Sequence, residues 1–197
     1  FILIEIGFAY TSAMAVEKGV LVDGIGGTTG NMGYLGMGTM DGELAYAISN
    51  SLQDYSRLLL FSGGVSSLAG IDPFSIDIKD FIRKTKVNKK TESAYEAFQE
   101  GIIKNVFSLI VSMKELPKEI LLSGRFLGIS TFRKDIISML NKRTKPLSIN
   151  EIRTVKKQSV NVKEAAQGSA ILANGIAGGK YKLIVENLKI FESEGTI

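Results

Sequence analysis

A chain of 197 residues, 45% of them hydrophobic, holds enough apolar material for one sizeable core, and 24 Lys and Arg against 20 Asp and Glu leave a mild net charge of +4. It contains no cysteine and no histidine, which excludes a Cys/His zinc site, a thiol nucleophile, a Ser-His-Asp triad and an imidazole base. Chemistry on this chain must run on carboxylates, Lys, Arg, hydroxyls, backbone N–H groups and hard cations such as Mg²⁺. The absence of cysteine removes a disulfide framework and fits an intracellular, cytoplasmic protein. Only Arg83 to Lys90 concentrates positive charge, and no aromatic residue is interleaved there to stack on bases. A solvated loop or helix end is expected rather than a nucleic-acid surface. The longest apolar candidate, Ile102 to Met113, is interrupted by Lys104 and Asn105, so no membrane span of about 18 apolar residues is expected.

Three apolar segments open the chain: Phe1 to Ile6, Tyr10 to Val16 and Val20 to Ile25. They are rich in β-branched and aromatic residues and separated by Gly7-Phe8-Ala9 and Glu17-Lys18-Gly19, the pattern of an antiparallel meander. After a Gly-punctuated stretch, Thr39 is expected to cap a helix with Asp41 and Glu43 in its first turn. Its stripe of Leu44, Ala47, Ile48 and Leu52 is expected to pack on the sheet. Arg57 to Gly70 reads as a short buried strand and a turn, followed by a short helix from Ile76 to Arg83, and 57–91 reads as an insertion. Thr91 is expected to cap a long helix, Glu92 to Met113, in which apolar residues recur every three or four positions. Glu119 to Ser123 is an apolar strand, Ser130 to Leu140 a helix and Lys145 to Asn150 an edge strand. A helix of small residues, Asn161 to Ile176, and a terminal one, Tyr181 to Phe191, close the chain. This order predicts one α/β domain over 1–197, a mixed sheet of three antiparallel plus two further strands with helices on both faces.

The most suggestive stretch is Gly24-Ile25-Gly26-Gly27-Thr28-Thr29-Gly30. Four glycines in seven residues let backbone N–H groups turn toward an anion such as phosphate. They equally suit a tight strand-to-helix turn. Neither G-x-x-x-x-G-K-[ST] nor G-x-G-x-x-G fits the stretch.

Three pieces carry a resemblance: Ile4-Glu5-Ile6-Gly7 through Thr11 to Gly27, then Leu121-Leu122-Ser123-Gly124-Arg125, and finally Ala165-Ala166-Gln167-Gly168-Ser169-Ala170. In this order they resemble one half of the acetate and sugar kinase, heat-shock protein and actin (ASKHA) superfamily, whose two RNase H-like domains close over ATP. VDGIGGTTGNMGYLGMGTMDGELAY with AAQGSAILANGIAGGKY looks more narrowly like an archaeal family of unknown function described as predicted butyrate kinases. The resemblance implies an RNase H-like, actin-like ATPase domain binding ATP or ADP with Mg²⁺. It implies the nucleotide-binding C-terminal half of a two-domain kinase, whose other half supplies the acceptor-activating carboxylate, so no catalytic base is nominated here.

By that resemblance Gly7, Thr11, Gly26, Gly27 and Thr28 line the phosphates. Glu5, where Asp is usual, holds Mg²⁺ through water, against the alternative of a solvent-facing strand residue. Phe8-Ala9 stands where a second glycine is often found. Ser123, Gly124 and Arg125 form the adenosine motif, with Arg125 either stacking on adenine or capping a helix, and Gln167 and Gly168 flank the base. Leu60-Phe61-Ser62-Gly63-Gly64 competes for the adenosine role, and Asp23 and Asp41 serve either the reaction or local structure.

The function expected is an ATP-dependent phosphotransferase for a short-chain carboxylic acid or another small-molecule acceptor. An alternative keeps the fold as a nucleotide-switched binding or regulatory protein without kinase activity. A third makes it a scaffold that no longer binds nucleotide, with helix 92–113 as a homodimer face.

Overall fold

The computed structural model describes residues 1–51, 56–156, 161–162 and 164–192. The meander forms as β1 (Ile2–Ile6), β2 (Thr11–Glu17) and β3 (Val20–Ile25). Lys18 and Gly19, both at positive φ, make the two-residue turn between β2 and β3, a conformation whose twist matches the strands it joins. α1 (Gly42–Ser51) follows the Gly-rich segment, then a 3₁₀ turn over Arg57–Phe61, α2 (Val65–Leu68), α3 (Ile78–Lys84) and α4 (Lys89–Ser112). β4 (Glu119–Ser123), a 3₁₀ turn over Arg125–Gly128, α5 (Ser130–Thr144), a 3₁₀ turn over Lys145–Leu147, β5 (Glu151–Thr154), α6 (Glu164–Ile176) and α7 (Lys182–Asn187) complete the order.

The five strands form one mixed sheet in the order β3-β2-β1-β4-β5, with β1 antiparallel to β2 but parallel to β4, and β4 parallel to β5. Alternation along β1 buries Ile2, Ile4 and Ile6, and register sets Ala15, Ala13 and Thr11 opposite them on β2 and Ile120 and Leu122 beside them on β4. Alanines on β2 leave room for α4 to approach this face with Phe98, Ile102, Val106 and Leu109, and α5 adds Phe132, Ile136 and Leu140 to the same core. The opposite face carries Leu3, Glu5, Ser12 and Met14, with Glu5 and Met14 exposed.

Several local expectations give way to tertiary context. The apolar run at Arg57 to Phe61 is a 3₁₀ turn rather than a strand; Ser56 accepts the N–H of Leu58 at 3.3 Å and starts it. A short apolar run does not distinguish strand from helix by periodicity. Lys145 to Asn150 is no strand either: Pro146 lacks the N–H a ladder requires, Ser148 takes a positive φ, and pairing with β4 begins only at Glu151.

Asn88 caps α4 by accepting the N–H of Thr91 at 3.0 Å, so the helix starts before Thr91. Asp41 caps α1 in the same way through Leu44, while the Thr39 hydroxyl donates to the Gly30 carbonyl. No residue of α1 is buried, so this helix does not pack on the sheet as expected; Leu52 lies outside the described residues. The last helix ends at Asn187, with Lys189 at positive φ. α4 spends one apolar stripe on the core and leaves Phe107 and Val111 exposed.

Segment 57–91 contributes Val65, Phe81 and Ile82 to that core. Phe81, Tyr34, Phe126, Phe98 and Phe132 form a continuous chain of edge and tilted ring contacts, with Tyr34 5.1 Å from Phe81 and 5.3 Å from Phe126. Tyr34 is fully buried and its hydroxyl has no hydrogen-bond partner among the described residues. Burial first, then the charges of Asp72 and Asp77, push its pKa up to about 12. Tyr95 is raised as well, by burial and by Asp135, which accepts its hydroxyl at 3.1 Å.

In the unfolded chain both phenols ionise near pH 10, so their contribution to stability is intact below that pH and lost as the pH rises through the folded values. Alkaline unfolding is therefore expected to begin near pH 10, and Tyr34→Phe to move its midpoint upward by circular dichroism. At neutral pH the same change is expected to be neutral or stabilising by up to about 1 kcal/mol, because it removes a buried hydroxyl that lacks a partner.

Candidate functional site

β1, β4 and β5 run parallel, so their carboxyl ends meet at one edge of the sheet. Strand order also reverses between β1 and β4, with β2 and β3 on one side and β5 on the other, and in open α/β sheets ligands sit outside the carboxyl ends of strands at such a switch point. A cavity of about 730 Å³ lies there, lined by Glu5, Gly7 and Phe8 at the end of β1, Ser123, Gly124 and Arg125 at the end of β4, and Thr154 and Val155 at the end of β5, with Arg133 of α5 and Glu164 and Ala165 of α6 also on its wall.

Register places Ser12, Glu5 and Ser123 in one row across three strands on the open face. The hairpin after β1 closes where the Gly7 N–H donates to the Tyr10 carbonyl at 3.0 Å. Gly124 has φ +110°, and a Cβ there would lie 2.3 Å from the Ile6 carbonyl oxygen. The turn after β4 therefore presses directly on the end of β1, which glycine alone permits. Arg125 reaches back across the cavity, its guanidinium carbon 5.2 Å from the centre of the Phe8 ring. Val155 donates to the Leu122 carbonyl at 2.8 Å and extends the parallel pairing to the cavity floor.

Of the residues expected at a nucleotide site, Glu5, Gly7, Ser123, Gly124 and Arg125 line this one cavity. Thr11 is buried on the other face of the sheet, with no hydrogen-bond partner for its hydroxyl among the described residues. Gly26, Gly27 and Thr28 do not line the cavity. They form a closed turn in which Gly26 donates to the Thr29 hydroxyl at 3.0 Å and accepts from Thr29 and Gly30, and a Cβ on Gly27 would meet the Tyr10 side chain at 2.4 Å. A second cavity of about 420 Å³ borders that turn, with Thr29, Gly30, Asn31, Thr39 and Asn105 among its lining residues.

Asp23 accepts from the Gly24 N–H at 2.7 Å and from the Ser112 hydroxyl, and Asp41 caps α1. Gln167 donates to the Val162 carbonyl at 2.8 Å across the start of α6, and Gly168 is exposed one residue beyond. The competing Leu60-Phe61-Ser62-Gly63-Gly64 string ends no strand; a Cβ on Gly64 would press on the Leu35 backbone instead. Arg133, Thr154 and Glu164 had no motif to mark them. They reach the site through sheet order and helix placement.

No group of three His, Cys, Asp or Glu able to hold a metal occurs among the described residues. A lone exposed carboxylate such as Glu5 suits only an ion that keeps most of its waters or takes phosphate oxygens, as Mg²⁺ does. Two arginines on the cavity wall suit a polyanion, and the Gly7 and Gly124 turns keep side chains out of the floor. The residues present therefore fit a nucleotide with Mg²⁺. No helix among the described residues is long and apolar enough to cross a membrane.

Comparison with solved structures gives the fold a context. The chain superposes on a propionate kinase from Francisella tularensis subsp. tularensis SCHU S4 with a TM-score of 0.61 at 21% identity, over 78% of this chain and 45% of that one. It superposes on acetate kinase from Entamoeba histolytica with a TM-score of 0.61 at 13% identity, over 74% of this chain and 39% of that one. The chain thus spans less than half the length of either, and shares with them an α/β, actin-like ATPase fold. A search of curated proteins found no significant match. A family model described as a protein of unknown function, DUF1464, matches residues 1–197, and the chain belongs to that family.

Proposed function

We propose that this chain is the nucleotide-binding part of an ATP-dependent phosphotransferase whose acceptor is a small carboxylic acid of the butyrate or acetate type. One observation carries the reading: the cavity at the carboxyl ends of β1 and β4 gathers the Gly7 hairpin, the Ser123-Gly124-Arg125 turn and the Glu5 carboxylate around one space. The folds of a propionate and an acetate kinase lend it weight, as does the resemblance of the Gly-rich and small-residue segments to predicted butyrate kinases. Phosphoryl transfer asks chiefly for positioning and charge neutralisation, so residues lacking His and Cys suffice for it. In this reading Gly7 lets the hairpin backbone approach a phosphate, Glu5 orients the waters of the metal, and Ser123 and Gly124 border the nucleoside.

Calorimetric titration with Mg-ADP, Mg-GDP and metal-free ADP tests this. Saturable, metal-dependent binding of ADP is expected. Glu5→Gln is expected to abolish the gain from Mg²⁺ and leave the melting temperature unchanged, because Glu5 is exposed. Binding of none of the three would sink the proposal; with binding established, phosphorylation of butyrate or acetate by the full-length protein tests the acceptor.

A further inference from the structure

Two loops flank the cavity, and one contact joins them. Phe8 follows Gly7 in the hairpin after β1, Arg125 follows Gly124 in the turn after β4, and the guanidinium carbon stands 5.2 Å above the ring centre, within the range of a cation–π contact. The ring under the arginine is itself held. It lies 5.3 Å from the ring of the fully buried Tyr34 and 6.4 Å from that of the largely exposed Phe74. The guanidinium thus sits against a ring that itself packs on the core, and its N–H donors form a planar fork. Arg125 is exposed, and no carboxylate pairs with it among the described residues. Arg133 lines the same wall.

The family resemblance implies that an arginine at this position stacks on adenine. Here the arginine is drawn toward the hairpin that carries Gly7 and Glu5. The planar fork of an arginine binds phosphate oxygens in pairs.

We infer that Arg125 binds the phosphate end of the nucleotide through the edge of its guanidinium, and that Phe8 is the positioning residue that holds it there. The inference rests on the nucleotide reading above for the identity of the ligand. Phe8 stands at a hairpin position where glycine is common in the resembling superfamily, so its ring gives this chain a means of orienting the arginine that glycine cannot supply.

The test titrates the whole chain, as wild type and as Arg125→Ala, Arg125→Lys, Phe8→Ala and Phe8→Tyr, with pyrophosphate and Mg-ADP, and with adenosine by competition. Circular dichroism confirms that each variant is folded. Arg125→Ala is expected to weaken ADP and pyrophosphate about tenfold or more and to leave adenosine unchanged, the size expected for a charged hydrogen-bonded pair. Phe8→Ala is expected to reproduce the pattern at about a third to all of that loss, and Phe8→Tyr, which keeps the ring, to restore binding. Arg125→Lys is expected to recover only part of it, since lysine lacks the fork.

Equal losses for adenosine and ADP would mean base stacking and overturn the inference. A loss with Arg125→Ala and none with Phe8→Ala would overturn the positioning role. Pyrophosphate binding that depends on Arg125, with no added affinity from the nucleoside, would uphold the anion site and defeat the nucleotide reading. ADP binding indifferent to Arg125 would do the reverse.

Discussion

Gly124→Ala is expected to lower stability by about 3 kcal/mol or more, with a matching fall in the urea midpoint. A non-glycine residue at φ +110° already costs on the order of 1–3 kcal/mol. The added methyl would stand 2.3, 2.5 and 2.7 Å from the carbonyl oxygen, carbonyl carbon and nitrogen of Ile6. Those atoms are backbone, and β1 is held on both sides by β2 and β4, so no side-chain rotation relieves the overlap. Either β4 loses its pairing with β1 at the carboxyl end or the Arg125 turn is displaced from the cavity. Any substitution with a Cβ at this position, valine included, therefore reports on folding before it reports on ligand. Gly128, where a Cβ meets nothing within 4 Å, is the control, and Gly128→Ala is expected to stay within about 0.5 kcal/mol of wild type. An unchanged midpoint for Gly124→Ala would disprove the close contact between the two strand ends.

Phe126→Ala is expected to cost about 3–5 kcal/mol, the range for emptying a buried aromatic site that cannot collapse. Phe126 is fully buried, with its ring 5.3 Å from Tyr34, 5.4 Å from Phe98 and 5.1 Å from Phe132. Those partners come from the Gly-rich segment, α4 and α5, and no one of them can move into the space without leaving the other two. The loss extends to the site, because Phe126 is the anchor next to Arg125. Phe126→Leu, which refills most of the volume, is expected to cost less than half as much. Denaturation curves on the two variants separate cavity formation from a general intolerance of change, and a cost near zero for alanine would mean that the cluster repacks.

Elements whose pattern is local could be read directly from the chain. The alternation of Ile2, Ile4 and Ile6 with Leu3 and Glu5, and the recurrence of Phe98, Ile102 and Leu109, each repeat with the period of the element they form, so β1 and α4 follow from residue order and side-chain hydrophobicity. The Leu121-Leu122-Ser123-Gly124 string likewise marks a strand and the turn that ends it. Arg57 to Phe61 and Lys145 to Asn150 are too short for a period to choose between strand and helix. There the choice fell to capping by Ser56, to the missing N–H of Pro146 and to the position of the neighbouring strand.

The site divides along the same line. Glu5, Gly7 and Ser123-Gly124-Arg125 are legible through the family resemblance that their strand ends carry. That these two strands are parallel neighbours is decided by the sheet, through a pairing between residues more than a hundred positions apart. The Gly26-Gly27-Thr28 turn has the composition of an anion loop, yet its hydrogen bonds close on Thr29 and its surface packs against Tyr10. Arg133 and Glu164 carry no local signal at all, and Phe8 is marked only as standing where glycine is often found. Composition and period act over a few residues, and so they determined the elements, the strand ends and the chemistry on offer; which ends meet, and which arginine is pinned on which ring, depend on contacts between distant segments that only the packed sheet brings together.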